Sequence, residues 1–583
     1  MGETGTALTV THSNRSIPCN WLQGILTFLL TWASGCVLES ATMCAKNIFR
    51  NLMLNDQRRE EGERTMRRSM MMSKVVFFAT LVLLTIGWQG AEAQSKRLAF
   101  TLDAPPYRQL EAQAIAEQLK KVGIQVEARI WEKIVLQDQI KSGERNAYLT
   151  DWGSAYFDPF DLGEPKLTTG GRGNFSFYAN PKVDEWLKMA SNSADNAARK
   201  EAYFKVQTTV FTDAPWVFGY CLQNIEAASA DVENWSPAMD NRINLHDVKL
   251  KKSDTIVVGM NVNTFVTLDP AMHRDRDTET VIRNMFDGLV TRTNGADVVP
   301  EIAEGWEEVN PTTYVFTLRP DVKFHNGEQL TADDVVFTFE RVLTAGAVGG
   351  QSSPRKGLLG PLQKVEKISD RKVKFELANP FPPFLQALVH FQIVPQKYIK
   401  EVGDKAFAEK PIGAGPFKFV KGKLDSEVVM ERFEGYYGGS PKLPPVGPAK
   451  VKKAVFRTMP EPSTRVAALL AGEVSIIQAI PADLVEKLKK SKRVQLKTVE
   501  GTRSNQIELN NKKPPFNDVR VRQAFNMAVN WDKILKNIYL GYATRLPTCF
   551  LPSGFGYDPN LRPYPFNPEK AKSLLKEAGY DVK

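Results

Sequence analysis

The residues best suited to chemistry in this chain are a run of alternating charge, His273-Arg274-Asp275-Arg276-Asp277. Two arginines two positions apart can take a carboxylate or a phosphate through paired N–H donors. The alternative is a solvated loop whose Arg–Asp pairs contribute little energy. A second stretch, Thr150-Asp151-Trp152-Gly153-Ser154-Ala155-Tyr156-Phe157-Asp158-Pro159, offers the flat indole of Trp152 with its one N–H donor, and the phenol of Tyr156. Asp158 precedes a proline, which favours a turn. Motifs of covalent or metal catalysis are absent from the sequence: no G-x-S-x-G, no H-E-x-x-H, no P-loop and no C-x-x-C. His246, His273, His325 and His390 stand singly, which argues against a metal ligand set. The residues therefore point to binding rather than catalysis, with no metal and no cofactor.

These side chains need a scaffold, and the stretch 300–343 shows its style. Segments 306–309 and 313–318 read as two strands about a turn at Asn310-Pro311, with Tyr314, Phe316 and Leu318 on one face. Asn326-Gly327 gives a tight turn. Thr331 is a helix N-cap, with Asp333 and Asp334 in the first turn and Val335, Phe339 and Val342 at helical spacing.

This stretch carries a resemblance. AEGW at 303–306, LRPDVKFHNG at 318–327 and LTADDVVFTFERV at 330–342 resemble the signature of the family 5 extracytoplasmic solute-binding proteins, the peptide- and nickel-type binding proteins of ABC importers. TLDP at 267–270, GAGPF at 413–417, YYGG at 436–439, VRVRQA at 519–524, PEKA at 568–571 and LLKEAG at 574–579 look like further landmarks of the family, in its order. The resemblance implies two α/β lobes about a hinged cleft, the type II periplasmic-binding-protein fold with an extra subdomain.

The order of the remaining segments is unusual. A strand at 98–102, a helix at 110–122 closed by Gly123, a strand at 124–130, the Trp152 loop and a helix at 197–210 all resemble the family's C-terminal part. They precede the family's N-terminal strand, found here at 255–259. The simplest account is a circular permutation, with the usual termini joined near 250–254 and new ones opened between 583 and 94. It requires the strand at 98–102 to pack beside the helix that ends at Gly579. The rival account is an artefact of sequence assembly or a fragment of a tandem gene. The expected layout is an extension at 1–65, a signal peptide at 66–93, lobe II at 94–216, lobe I at 217–501 with a subdomain at 303–410, and the rest of lobe II at 502–583. The chain then crosses between lobes near 217–221 and 499–505.

The resemblance also implies ligand contacts. The loop with Trp152, Tyr156 and Asp158 matches one that faces the ligand; Arg274 and Arg276 match a stretch that touches ligand backbone; Arg503 stands at the second crossing. In peptide-binding members an aspartate three residues after the tryptophan holds the ligand's α-ammonium. Here that position is Ala155, so the ammonium clamp does not carry over, and an anionic or non-peptide solute becomes the expectation.

Composition agrees with a globular, exported protein. The 583 residues are 43% hydrophobic and 24% charged, enough for more than one core. The net charge of +10 is dispersed, which excludes a nucleic-acid-binding face built on a basic run. A basic segment at 66–74, an apolar segment at 75–88 and Ala91-Glu92-Ala93 form a secretory signal with cleavage before Gln94, so translation is expected to start at Met66 or at one of Met70 to Met72. The segment around Cys36 gives a weaker lipoprotein reading, which leaves the second apolar stretch unexplained. Cys221 and Cys549 remain after cleavage, and nothing in the sequence brings them together. The expected protein is a periplasmic, unanchored monomer, not an enzyme. It captures a peptide, peptide-like or anionic small solute and passes it to an inner-membrane permease and its ATPase. A receptor for a membrane sensor and a periplasmic chaperone are the alternatives.

Overall fold

The computed structural model describes residues 97–295, 297–443 and 446–582. The extension, the signal peptide and the lipoprotein-like segment all lie outside them. One mixed sheet of 11 strands runs through the described chain. At one end Ala99–Ala104 pairs in parallel with Gln125–Ile130 and with Ala147–Gly153. The helix Gln109–Lys120 makes the first of these crossovers, and Gly123 beyond it takes φ +83°, a conformation that costs a glycine least. At the other end Thr255–Met260 pairs in parallel with Lys453–Thr458 and Ile476–Ile477. Leu102 in one of these strands and Ile256 and Val258 in another are buried, each set on one face of its strand.

Two long strands join these ends. Trp216–Ser229 and Val494–Leu509 run antiparallel, and each lies in both ends of the sheet. Their pairing is regular from Val494 opposite Ser229 to Glu500 opposite Gln223, and resumes at Ser504 opposite Cys221. Between these, Gly501, Thr502 and Arg503 stand against Leu222 alone, a bulge that bends the strand and re-aims its side chains. The cores follow the same division. Clusters around Leu102, Phe525 and Leu575 and around Tyr203 and Phe550 draw on residues before 222 and after 506. Clusters around Phe286 and Phe456 and around Val466 and Leu488 draw on the residues between.

The stretch 300–343 forms as its local signals dictate. Ala303–Asn310 and Thr313–Leu318 pair antiparallel in a separate 4-stranded sheet with Lys372–Leu377 and Leu362–Ser369. Gly327 turns the chain at φ +86°. The helix Ala332–Leu343 opens on a capping box, in which the Asp334 carboxylate accepts from the Thr331 backbone N–H at 2.9 Å. Its buried Phe339 packs edge-on against Phe375 of the sheet, centroids 4.9 Å apart. Burial of a side chain of this size contributes roughly 1.5–3 kcal/mol.

The first strand and the last helix share a core despite standing at opposite ends of the described chain. Phe100 packs against Phe516 and Phe525, both at 5.2 Å. Leu98, Leu102, Leu574 and Leu575 are buried in the same cluster. Cys221 and Cys549 are both buried and free, and burial pushes each thiol up to about 12. No described helix is long and apolar enough to cross a membrane.

Candidate functional site

The Trp152 loop leaves the strand Ala147–Gly153 and is tied back on itself by Asp161, in the first turn of the helix Phe160–Leu167. The Ser154 hydroxyl donates to Asp161 Oδ1 at 2.7 Å, and the backbone N–H groups of Ala155 and Tyr156 donate to Oδ2. Burial nonetheless pushes this carboxyl up to about 6. Beyond the turn, Asp158 accepts two hydrogen bonds from Arg199 Nη2, at 2.9 and 2.7 Å, in a pair that is almost wholly buried. With its amide groups held on this side, the loop presents its carbonyls to the other end of the sheet.

Cationic groups from that end meet them. Arg276 Nη2 donates to Ser154 O at 2.6 Å, and its Nη1 donates to the hydroxyl of Thr502, in the bulge, at 2.7 Å. Arg292 Nη2 lies 3.2 Å from Ala155 O, and His390 Nε2 lies 3.0 Å from the same atom. His390 Nδ1 is 2.7 Å from Glu279 Oε1. Its two ring nitrogens thus stand between a carboxylate and a carbonyl, both of them acceptors. The hydroxyl of Tyr156 donates to Leu358 O at 3.0 Å, and its ring joins the core of the small antiparallel sheet.

Behind Ala155 lies an enclosed cavity of about 10 Å³, room for about one water. It is lined by Ala155, Asp240, Arg242, Arg276, Glu279, Thr280, Arg283 and His390. Burial opposes ionisation of Asp240, but Arg242 and Arg292 outweigh it and hold its carboxyl at about 2. Burial likewise opposes ionisation of Glu279, and His390, Arg355 and Arg283 together keep it well below the usual range. Burial, then the neighbouring Arg242, pulls Arg283 down to about 10. Three guanidiniums and two carboxylates line the cavity.

Of the six residues expected at a ligand, the structure brings Arg276 alone to this cavity. Tyr156 reaches instead to Leu358 and the core of the small antiparallel sheet. Trp152 donates its indole N–H to Asp161 O at 2.8 Å, with its ring between Lys166 and Arg172, each 5.1 Å from the centroid. Asp158 is engaged by Arg199. Arg274 is exposed. Arg503 pairs with Asp151 through Nε at 2.6 Å, on the open side of the bulge. Sequence reading missed Asp161, Arg242, Arg283 and Arg292, and read His390 as an isolated histidine. The three arginines carry no spacing signal, because only the tertiary fold gathers them. Among the described residues no group of His, Cys, Asp and Glu is placed to hold a metal.

Comparison with known proteins bears on what this arrangement is. The sequence pattern of the bacterial extracellular solute-binding proteins, family 5 (middle region), matches residues 297–583. A solved structure of HbpA2 from Haemophilus parasuis aligns with a TM-score of 0.50 at 30% identity, covering 56% of this chain and 67% of that one. The chain belongs to family 5 of the bacterial extracellular solute-binding proteins. These are binding proteins, not enzymes, and their fold is the two-lobed type II periplasmic-binding-protein fold. Among curated relatives of this family-5 chain, the dipeptide-binding protein of Escherichia coli K12 is 34% identical over 306 residues, which is 49% of this chain and 56% of that protein. The glutathione-binding protein GsiB of Pectobacterium atrosepticum is 31% identical over 337 residues, 56% of this chain and 62% of that protein. The family-5 chain thus spans between 56% and 62% of the length of these two relatives.

Proposed function

We propose that this chain is the periplasmic solute receptor of an ABC importer. It captures a small peptide-like or anionic solute between two lobes, closes on it and delivers it to an inner-membrane permease and its ATPase. The observation that carries this reading is the set of contacts made to one loop. Ser154 O and Ala155 O, on one lobe, are held by Arg276, Arg292 and His390 of the other, across two strands that bend at a bulge. A cleft with polar groups converging from both walls stabilises the closed state when a solute bridges them. Family membership supports the same reading, as do relatives named for dipeptide and glutathione binding. The lobes run 94–216 with 502–583, and 217–501.

In this reading the chain is a circular permutant, exported by the signal at 66–93 and working as an unanchored monomer. What supports the permuted order is the shared core of Ala99–Ala104 and the helix Pro568–Glu577, together with the exposure of Lys251, Lys252, Ser253 and Asp254, where the usual termini would be joined. The test is native mass spectrometry of the full chain purified gently from an exporting host, with small-angle scattering before and after removal of any bound solute. The expected result is a discrete added mass and an increase in radius of gyration when it is removed. Bare protein whose shape responds to no solute would overturn the receptor reading in favour of a chaperone.

A further inference from the structure

The loop held by Arg276, Arg292 and His390 also seats aromatic side chains in the core of the small antiparallel sheet. Tyr156 and Phe160 converge on Phe381, with ring centroids 6.1 and 5.1 Å from it and planes at 90° and 78° to it. The Tyr156 hydroxyl donates to Leu358 O at 3.0 Å. Tyr156 is buried with Leu359, Phe381 and Phe384 in one apolar cluster, against which the half-buried Phe160 packs. Phe157 takes φ +55°, a conformation unusual for a bulky residue, and the Arg292 guanidinium lies 4.4 Å from its ring centroid. To the opposite wall the segment thus presents what a bound peptide presents. Two successive carbonyls, Ser154 O and Ala155 O, meet N–H donors, and two side chains fill an apolar socket. The nearest carboxylates are engaged: Asp161 by Ser154, Ala155 and Tyr156, and Glu279 by His390 at 2.7 Å and Arg283 at 3.8 Å. The cavity beside Ala155 admits about one water, so a solute gains this wall only by displacing the segment.

We propose that the segment 154–160 is an internal stand-in for the solute. It fills the wall and the socket at Phe381 in the solute-free protein, and the solute that displaces it is a small peptide-like amide with an aromatic side chain. The proposal rests on the receptor reading and narrows it. The ties to Asp161 lie within the segment and the first turn of its helix, so they persist as it withdraws. The N–H groups of Arg276, Arg292 and His390 then pass from Ser154 O and Ala155 O to carbonyls of the solute. An aromatic ring of the solute meets Phe381 edge-on, as Tyr156 and Phe160 do now. A free ammonium is not required, because the methyl of Ala155 stands where an ammonium clamp would. The tethered segment competes at high effective concentration, and the apparent affinity falls by the fraction of time that it is seated. An aliphatic solute replaces the carbonyl contacts alone, leaves the socket to the segment and loses that competition.

The test is isothermal calorimetry and thermal unfolding of the full chain with two probes. N-acetyl-alanyl-tyrosinamide reproduces Ala155 and Tyr156 with their flanking carbonyls, and N-acetyl-alanyl-alaninamide lacks the ring. The parent is compared with Phe160→Ala and with Tyr156→Phe, which keeps the ring and removes the hydrogen bond to Leu358 O. The expected result is that the aromatic probe binds and raises the melting temperature, and that the alanyl probe binds about tenfold more weakly or less. Each variant, its segment less firmly seated, should bind the aromatic probe about threefold or more tighter than the parent does. Tyr156→Phe covers the case in which Phe160→Ala does not fold. Equal binding of the two probes overturns the aromatic socket. Aromatic-probe binding that a folded variant weakens or leaves unchanged overturns the stand-in role, because the segment then does not compete. If neither probe binds the parent or a variant, the whole proposal is overturned, and a solute found by native mass spectrometry would keep the receptor reading intact.

Discussion

His390 Nε2 lies 3.0 Å from Ala155 O while its Nδ1 lies 2.7 Å from Glu279, so one imidazole ties a loop of one lobe to a helix of the other. A hydrogen bond with a charged partner contributes roughly 1.5–3 kcal/mol. Because this one exists only where the lobes meet, its loss acts on closure more than on folding. His390→Ala is therefore expected to shift the solute-free protein toward the open form by about that amount. Scattering at low and high solute concentration checks it: the variant should start larger and reach the parent's radius only at higher solute concentration. An unchanged radius at every concentration would remove His390 from the closing contacts.

Glu226 gives a pH dependence with a definite sign. It is buried in the strand Trp216–Ser229, neither carboxyl oxygen has a hydrogen-bond partner, and burial and Asp240 push it up to about 8. A carboxyl raised above its unfolded value favours the folded state while it is protonated. That contribution is complete below the unfolded value and is lost as pH rises through about 8. Glu226→Gln keeps the shape and cannot ionise. The variant should match the parent's melting temperature near pH 5 and exceed it near pH 9, by an amount corresponding to a few kcal/mol. Asp240 does not mask this, because its depressed value places its own loss near pH 2.

Asp158 separates a structural role from a binding one. Its carboxylate accepts two hydrogen bonds from Arg199 Nη2 in a nearly dry environment. Removing one partner of a buried pair costs roughly 3–5 kcal/mol, because the other charge is left unpaired. Asp158→Asn should lower the denaturation midpoint accordingly and leave solute affinity, measured well below that midpoint, within about twofold of the parent.

These cases show which parts of the protein were legible in the sequence. The Thr331 cap, the Asn326-Gly327 turn and the alternation at Tyr314, Phe316 and Leu318 are decided by neighbours a few residues away, and all formed as read. The turn at Asp158-Pro159 was legible for the same reason. The cavity was not. Ala155, Arg242, Arg276 and His390 lie far apart along the chain and meet only after the two long strands bring the lobes together. A lone arginine reads as a solvated surface residue, and its burial is a property of the closed fold. The local ties of Trp152 were not legible either: its indole N–H closes its own loop through Asp161 O, and Lys166 and Arg172 each stand 5.1 Å from its ring.

Glycines at the crossing strands make a sharp test of the hinge. A Cβ added at Gly501 would stand 2.5 Å from Leu222 O, and one at Gly219 would collide with Asn505 O. In both cases the obstacle is backbone, which cannot rotate aside. Gly501→Ala and Gly219→Ala are each expected to cost more than about 2 kcal/mol, measured by urea denaturation. Gly501 lies in the bulge, so its variant should also change the difference in radius between the solute-free and solute-bound forms. Gly219 stands at the neighbouring register shift, between Phe218 opposite Gln506 and Tyr220 opposite Asn505, and its variant should change that difference as well.

The proposed permutation is open to a direct test. Phe100 packs on Phe525 of the helix Val519–Ala528, and the same helix carries Arg520, whose Nη1 donates to Glu577 O at 2.6 Å in the last helix. The start and the end of the described chain thus meet on one element. Lys251, Lys252, Ser253 and Asp254 form an exposed turn between Lys249–Leu250 and Thr255–Met260. A rearranged gene that joins Lys583 to Arg97 and opens the chain at Ser253 should keep every core contact and change only loop closure, which costs little at the surface. Its melting temperature should fall within a few degrees of the parent's, with the same solute affinity. A rearranged chain that failed to fold while the present order folded would show that 583 and 97 are not natural neighbours, and the permutation would have to be abandoned.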